Sequence, residues 1–361
     1  MSEHGSVQTP AWLKRAGLVL GLLALIIILL LPAPEGLPWA GKAALASASL
    51  LAIWWMTEAL PIPVTSLLPL LLFPLLGVMS MQEAASPYAD QLVFLFLGGF
   101  ILAMGVERSG LHKRIALHVI RLTGSGSSRL VLGFMIATAG LSMWMSNTAT
   151  VMLMLPIAMA VLARMNVADA EETDPHIAPA LLLGIAYAAS IGGTGTLIGT
   201  PPNIVLAGVM RKLYPSGPEI GFVQWMLFGV PLVALFLPLT WLLLVRLLPT
   251  TRLKKTPSSS LAAMNVQAEL AGLGKLRPTE KRVLLVFLCT AASWIFRAPL
   301  DLGGIQLPGL TDVLPQLTDA MIAIAAGVTL FFMPGESGAR LFSWNDAVSY
   351  THLTLPTSDL V

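Results

Sequence analysis

The chain has 361 residues, 56% of them hydrophobic and 11% charged, with a mean hydropathy of +0.80. Soluble domains carry about 25% charged residues, so this is a polytopic membrane protein, and its net charge of +2 is too slight to suggest a nucleic-acid partner. The single cysteine, Cys289, excludes an internal disulfide, and the five histidines (His4, His112, His118, His176 and His352) are too scattered for a histidine metal site.

Lys14-Arg15 precedes an apolar run, but Pro and Glu follow where a signal peptide would carry a small-residue cleavage site. Residues 16–32 therefore read as a retained first span. Residues 37–56 form a second, ending at Thr57-Glu58-Ala59-Leu60-Pro61-Ile62-Pro63, where two prolines break the helix. Glu58 beside that break is either a proton or cation partner or, more plainly, a carboxylate capped at the interface. A short third span covers 64–78, and the polar stretch 81–90 predicts a loop. The fourth span, 91–106, carries Gly98-Gly99, small residues that let helices approach closely.

In 107–121 the character changes. Arg108, His112, Lys113, Arg114, His118 and Arg121 interleave with Leu111, Ile115, Leu117, Val119 and Ile120 at roughly helical spacing. This predicts an amphipathic helix lying at the membrane interface; the plainer alternative is a solvated charge cluster. Residues 124–128 are a Gly/Ser connector.

The apolar run 130–163 would be about 50 Å long as one helix, whereas a bilayer core of about 30 Å needs about 20 residues. At its centre lies a polar island, Ser142-Met143-Trp144-Met145-Ser146-Asn147-Thr148-Ala149-Thr150. The combination predicts a re-entrant hairpin of two half-helices meeting at a polar tip. After a polar, acidic loop at 164–176, the run 177–210 is interrupted at 191–203 by Ile-Gly-Gly-Thr-Gly-Thr-Leu-Ile-Gly-Thr-Pro-Pro-Asn, too rich in glycine and proline for a stable helix. A sixth crossing covers 222–248, a polar linker 249–282, and two further spans 283–299 and 320–333. With the N-terminus in the cytoplasm and the hairpin opening there, all of the 21 Lys and Arg except Lys42, Arg211, Lys212 and Arg297 fall inside, as the positive-inside rule requires.

Two broken segments rich in hydroxyls and glycine are the pattern of a transporter binding site. A broken helix frees carbonyls that can ligate a hard cation and N–H groups, at a positive helix end, that favour an anion. Ser142 and Ser146, at i and i+4, would share one face of the first half-helix. The plain alternative is that Ser146, Asn147 and Thr148 are hydrogen-bonding glue between helices. An intramembrane hydrolase would need a nucleophile with a base at membrane depth. No histidine lies in a confident span, and neither HExxH nor GxSxG occurs.

The motif Ser146-Asn147-Thr148-Ala149-Thr150, followed by Gly192-Gly193-Thr194-Gly195-Thr196-Leu197-Ile198-Gly199-Thr200-Pro201-Pro202-Asn203, resembles the divalent anion/sodium symporter family of di- and tricarboxylate or sulfate transporters. Trp54-Trp55-Met56-Thr57-Glu58-Ala59-Leu60-Pro61-Ile62-Pro63 is similar to an early signature of that family, and the likeness covers about residues 10 to 348. It implies an all-α inverted-repeat transporter, with a scaffold and a moving transport domain, acting as a homodimer in the bacterial inner membrane by an elevator motion. Residues 1–36 would be the N-terminal tail and first helix, and 37–89 the scaffold helices of the first repeat. Residues 90–221 would be its transport part, 222–248 a crossing, 249–282 a cytoplasmic linker and 283–348 the start of the second repeat. By the same resemblance, Ser142, Ser146, Asn147 and the Gly195 backbone would ligate sodium, which is co-transported, with no organic cofactor. Asn147, Thr148 and Thr196 would touch a substrate carboxylate, with Gly192, Gly193, Thr194, Gly199, Thr200, Pro201, Pro202 and Asn203 as the supporting loop.

After residue 348 the family continues into a further helix and a second hairpin. Residues 349–361 here read instead as a non-native tail, so the chain is expected to be a C-terminally truncated copy. The expected function is sodium-coupled uptake of a succinate- or malate-class dicarboxylate by the full-length form. Anion exchange, or sulfate or tricarboxylate transport, is the alternative within the family, and an inactive membrane fragment is the alternative outside it.

Overall fold

The computed structural model describes residues 9–124, 126–168, 176–217, 220–247, 259–301, 306–335 and 340–347. The tail 349–361 and residues 169–175 of the expected acidic loop lie outside them. The described residues are helical apart from connections, one bridge between Pro334 and Arg340, and a short antiparallel ladder. In that ladder β1 (Leu300–Asp301) pairs with β2 (Gln306–Leu307). Stretches long and apolar enough to cross a membrane run over Ala11–Leu30, Met81–Arg108 and Phe222–Arg246, with shorter apolar helices beside them. The chain is an α-helical integral membrane protein. It divides into two compact units, one ending at Val93 and one beginning at Phe94.

In the first unit α1 (Ala11–Leu30) and α2 (Trp39–Thr57) pack closely through two glycines. A Cβ on Gly17 would stand 1.9 Å from Thr57 Oγ1, and one on Gly21 would stand 2.3 Å from Trp54 Nε1. Lys42, buried in α2, turns its ammonium back to Leu29 O at 2.8 Å and to Leu31 O. The last carbonyls of a helix lack internal partners and sit at its negative end, so a cation from the next helix satisfies both needs. α2 stops at Glu58, whose φ of +46° makes it the one described non-glycine residue in the left-handed region. Its carboxylate accepts Thr9 Oγ1 at 2.5 Å and lies 3.6 Å from Lys14 Nζ. Glu58 thus has both a hydroxyl donor and a nearby cation at the end of α2.

Two expectations change here. The third span is two short helices, α3 (Ile62–Thr65) and α4 (Leu68–Leu75), separated at Ser66–Leu67. Pro69, which has no N–H to continue a ladder, falls in the first turn of α4, where that donor is not needed. The stretch 81–90 is not a loop. It holds α5 (Met81–Ala85) and a 3₁₀ turn at Ser86–Ala89. Ser80 Oγ accepts from Glu83 N at 3.2 Å while Glu83 accepts from Ser80 N at 2.8 Å, a capping box that starts the helix despite its polar composition.

The second unit contains most of α6 (Gln91–Arg108), then α7 (Leu111–Thr123), α8 (Ser127–Ser142), α9 (Asn147–Ala168) and α10 (Ile177–Gly193). There follow α11 (Pro201–Leu213), α12 (Phe222–Leu242), α13 (Ser259–Gly272), α14 (Pro278–Ile295) and α15 (Asp319–Phe332). Gly98 permits the close helix contact expected of it, since its Cβ would meet the Ala323 carbonyl carbon at 2.4 Å. Leu117, Phe134, Met135, Ala158 and Leu181 anchor one apolar core shared by α7, α8, α9 and α10.

The amphipathic helix forms, but it begins at Leu111, after Gly110 in the left-handed region, and not at Glu107. Its Arg114 belongs to the buried face and not to the interface. Arg114 Nε and Nη2 lie 3.1 Å from the two oxygens of Glu280, Nη1 donates to Gly274 O at 2.9 Å, and Nη2 also reaches Leu273 O at 3.2 Å. Glu280 is fully buried and also accepts Arg277 N at 2.7 Å. One guanidinium thus closes the C-terminal end of α13 and the first turn of α14. The polar linker expected at 249–282 contains this helix α13, built on good helix formers such as Ala, Leu, Gln and Glu. Arg297, after α14, is also committed: its Nε lies 2.7 Å from Asp319 Oδ1, and Asp319 Oδ2 accepts Phe222 N at 2.9 Å.

Candidate site at two helix breaks

The run 130–163 is broken where its polar island stands. α8 ends at Ser142, the chain turns through Met143–Met145, and α9 starts at Asn147. Ser146 is the cap of α9: its Oγ accepts Ala149 N at 3.2 Å, and its carbonyl accepts Thr150 Oγ1 at 3.0 Å. Ser142 and Ser146 therefore do not share a helical face. They stand on opposite sides of the turn, because the second serine is used to begin a new helix.

The second run breaks over Thr194–Thr200, between α10 and α11. Thr194 Oγ1 donates to Ile191 O at 2.7 Å, and Gly195 N to Gly192 O at 2.8 Å. Asn203, in the first turn of α11, donates its amide to Gly193 O at 2.9 Å and to Thr196 O at 2.7 Å, and so braces the loop from inside. Trp225 Nε1 takes Thr194 O at 2.9 Å. Thr200 sits at the N-cap of α11 without a side-chain cap bond, and Pro201 and Pro202 fill its first two positions.

The two breaks adjoin. Thr196 Oγ1 donates to Met143 O, tying the second loop to the first turn. Ser142 Oγ lies 2.8 Å from Asn147 Oδ1 and 2.7 Å from Ala189 O. A hydroxyl has one proton, so one of those two oxygens goes without it. Gly193 and Gly192 are glycines for want of space: a Cβ would be 2.2 Å from Asn147 Oδ1 at the first and 2.3 Å from Ala139 O at the second. Gly199 abuts the Gly193 carbonyl, and Gly195 lies against Met143. Ser142, Ser146 and Thr196 are buried, while Asn147 and Thr148 are half-buried. All the predicted residues are thus in or beside the paired breaks, although Thr148 makes no side-chain hydrogen bond among the described residues and Thr200 lies at the far end of its loop.

The helix ends differ in what they offer. Asn147 and Thr148 give α9 free first-turn N–H groups at its positive end, while Pro201 and Pro202 deprive α11 of them. Of these two helix ends, only that of α9 can offer backbone N–H donors from its first two positions. The oxygens gathered here are those of hydroxyls, amides and carbonyls, the kind that can ligate a hard cation, with no carboxylate among the described residues of the two breaks.

Sequence reasoning missed what holds the tip. Trp144 packs on Phe287 at 4.8 Å between ring centroids, on Phe222 at 5.8 Å and on Trp294 at 6.2 Å, and Phe222 stacks on Trp294 at 4.3 Å. A tryptophan within a polar island was the available signal, but its partners lie far away in sequence. Beside the tip is an apolar cavity of about 200 Å³, bounded by Val106, Leu111, Gly140, Trp144, Met145 and Phe287. It offers little to an anion and is distinct from the polar site.

The profile of a family described as citrate transporters matches residues 52–334. The sodium-dependent dicarboxylate transporter SdcS of Staphylococcus aureus, in strains NCTC 8325 and COL, is 40% identical over 340 residues, covering 92% of this chain and 63% of the relative. The same protein of strain USA300 shows the same identity and coverage. The chain thus spans 63% of the length of the curated relatives it matches. These matches agree with the resemblance to divalent anion/sodium symporters read from the sequence motifs.

Proposed function

The chain belongs to the citrate transporter family of membrane transporters, not of enzymes, and we propose that its full-length form couples sodium to uptake of a succinate- or malate-class dicarboxylate. The observation that carries this reading is the meeting of the two breaks, through the Thr196–Met143 bond and the Asn147–Gly193 contact. In this proposal Ser142, Ser146, Asn147 and the Gly195 carbonyl bind the sodium. The oxygens of Ser142 and Asn147, which share one hydroxyl proton with Ala189 O, suit a hard cation, which accepts oxygen ligands without needing their protons. Asn147, Thr148 and Thr196 receive one substrate carboxylate at the positive end of α9, and the sodium beside it offsets its charge.

On this proposal 130–163 is a re-entrant hairpin opening to the cytoplasm, 177–210 is the broken helix of the same repeat, and 283–348 begins the second repeat. The protein works as a homodimer in the bacterial inner membrane, N-terminus inside, by an elevator motion. Uptake of labelled succinate by the full-length protein in proteoliposomes should require a sodium gradient and be lost in Asn147→Ala. Equal uptake with sodium or potassium would overturn the coupling. A tricarboxylate cargo is the second reading, favoured by the family's description as citrate transporters; citrate competing more strongly than succinate would select it.

A further inference from the structure

At one end of the second unit three arginines stand exposed on three elements. Arg121 is near the end of α7, Arg129 is in the first turn of α8, and Arg246 is in the π-helical turn Leu243–Leu247 that follows α12. Packing draws these ends together. Trp241 Nε1 donates to Ser128 O at 2.9 Å, which joins the end of α12 to the start of α8. The Arg129 side chain folds back to within 3.4 Å of where a Cβ on Gly124, just beyond α7, would stand. Leu244 and Val245 are buried, so Arg246 turns outward.

No aspartate or glutamate occurs in α7, α8, α10, α12 or the turn after α12. Among the described residues, two carboxylates of the other helices packed here are committed: Glu269 lies 3.2 Å from Lys113, and Glu280 pairs with Arg114. Cations left uncompensated by their neighbouring elements attract an external anion. Its nature follows from what stands beside the arginines. Leu122, 80% exposed, follows Arg121, and Leu243, 44% exposed, precedes Arg246 by less than one helical turn. A soluble anion gains nothing from exposed leucines. A phospholipid offers phosphate to the guanidinium groups and a chain to the leucines. Trp241, half-buried with its N–H satisfied, has the character of a residue at the boundary between apolar and wet surroundings.

We propose that Arg121, Arg129 and Arg246 form a docking site for the phosphate headgroup of an anionic membrane lipid, with Leu122 and Leu243 against its chains. The site is independent of the proposed transport site. The test uses the full chain, delipidated in a neutral detergent and titrated with phosphatidylglycerol or phosphatidylcholine, with retained lipid counted by native mass spectrometry. Phosphatidylglycerol should be preferred, less so as salt is raised. The preference should fall roughly fivefold for each of Arg121→Gln, Arg129→Gln and Arg246→Gln, and survive largely in the corresponding Lys variants. Leu122→Ser with Leu243→Ser should weaken retention of both lipids. Equal retention of the two lipids by the unaltered chain would overturn the proposal. So would an unchanged preference in the triple Gln variant, the result expected if Asp169, Glu171, Glu172 and Asp174 neutralise the arginines. Complete displacement of phosphatidylglycerol by free glycerol phosphate would also overturn it, in favour of a soluble anion.

Discussion

Two polar clusters are buried in the second unit, and they are built on opposite principles. Around Arg114 and Glu280, guanidinium donors, carboxylate oxygens and helix-end carbonyls are matched to one another. Around Ser142, Asn147 and Thr196 there is no charged side chain, and the one proton of the Ser142 hydroxyl faces two oxygens. Burying an unpaired charge is so costly that an ion pair inside a protein must be complete to exist at all. Neutral hydroxyls and amides are less costly to leave incomplete. The completed cluster therefore holds the fold, and the neutral one is where the proposed function places its ligands.

The largest expected effect comes from breaking the completed cluster. Glu280→Ala leaves Arg114 buried without its carboxylate and should destabilise the chain by about 3–5 kcal/mol, seen as a lowered thermal midpoint in detergent. Acid attacks the same pair more gently. Burial pushes the Glu280 carboxyl up, but the hydrogen bonds and charge of Arg114 and the Arg277 N–H outweigh it and hold the group below the usual carboxylate range. Because the folded value is the lower one, this stabilisation is complete above the ordinary glutamate range and lost as pH falls below it. The midpoint of the unaltered chain should drop in that acid window, and Glu280→Gln should flatten the drop; equal acid sensitivity in both would deny the pair its role.

Next in size is Gly192→Ala. Its methyl would meet the Ala139 backbone, which cannot swing aside as a side chain can, so a cost of about 1–3 kcal/mol is expected. Gly140→Ala, where a Cβ meets nothing within 4 Å, is the control and should be neutral or stabilising. The smallest effect on stability is expected at the incomplete cluster itself. Asn147→Ala should change the stability by less than about 1 kcal/mol yet abolish any rise in the midpoint produced by sodium over potassium. A large loss of stability with the sodium response intact would reverse the assignment of the two clusters.

Much of the fold was legible because membrane helices declare themselves by length and hydropathy, and breaks declare themselves by glycine, proline and hydroxyl content. Ser142–Thr150 and Gly192–Asn203 stood out for that reason. The rest depended on contacts between distant residues. Nothing near Arg114 in sequence shows that Glu280 awaits it, so a buried cation looked like part of a surface stripe. Trp144 gave no sign of Phe287 or Trp294. Local rules were also overridden: the third span came as two short helices with Pro69 in the first turn of the second, and a cap at Ser80 made a helix of a polar stretch. At the site, composition located both breaks but could not foretell that Ser146 would start a helix instead of sharing a face with Ser142.

The ammonium of Lys42 has a consequence for how the protein is made. Its partners, Leu29 and Leu31, precede it by only 13 and 11 positions, and the glycine contacts of α1 are with Trp54 and Thr57. Everything that joins these two helices has therefore been synthesised by the time Glu58 leaves the ribosome. Contacts so close in sequence form early and at little loop-closure cost. The charge that would impede insertion of α2 is already occupied by the end of α1, so the two are expected to enter the bilayer as a single hairpin. A nascent chain arrested beyond this point should already shield Lys42 from amine-reactive reagents, and Gly17→Leu should expose it.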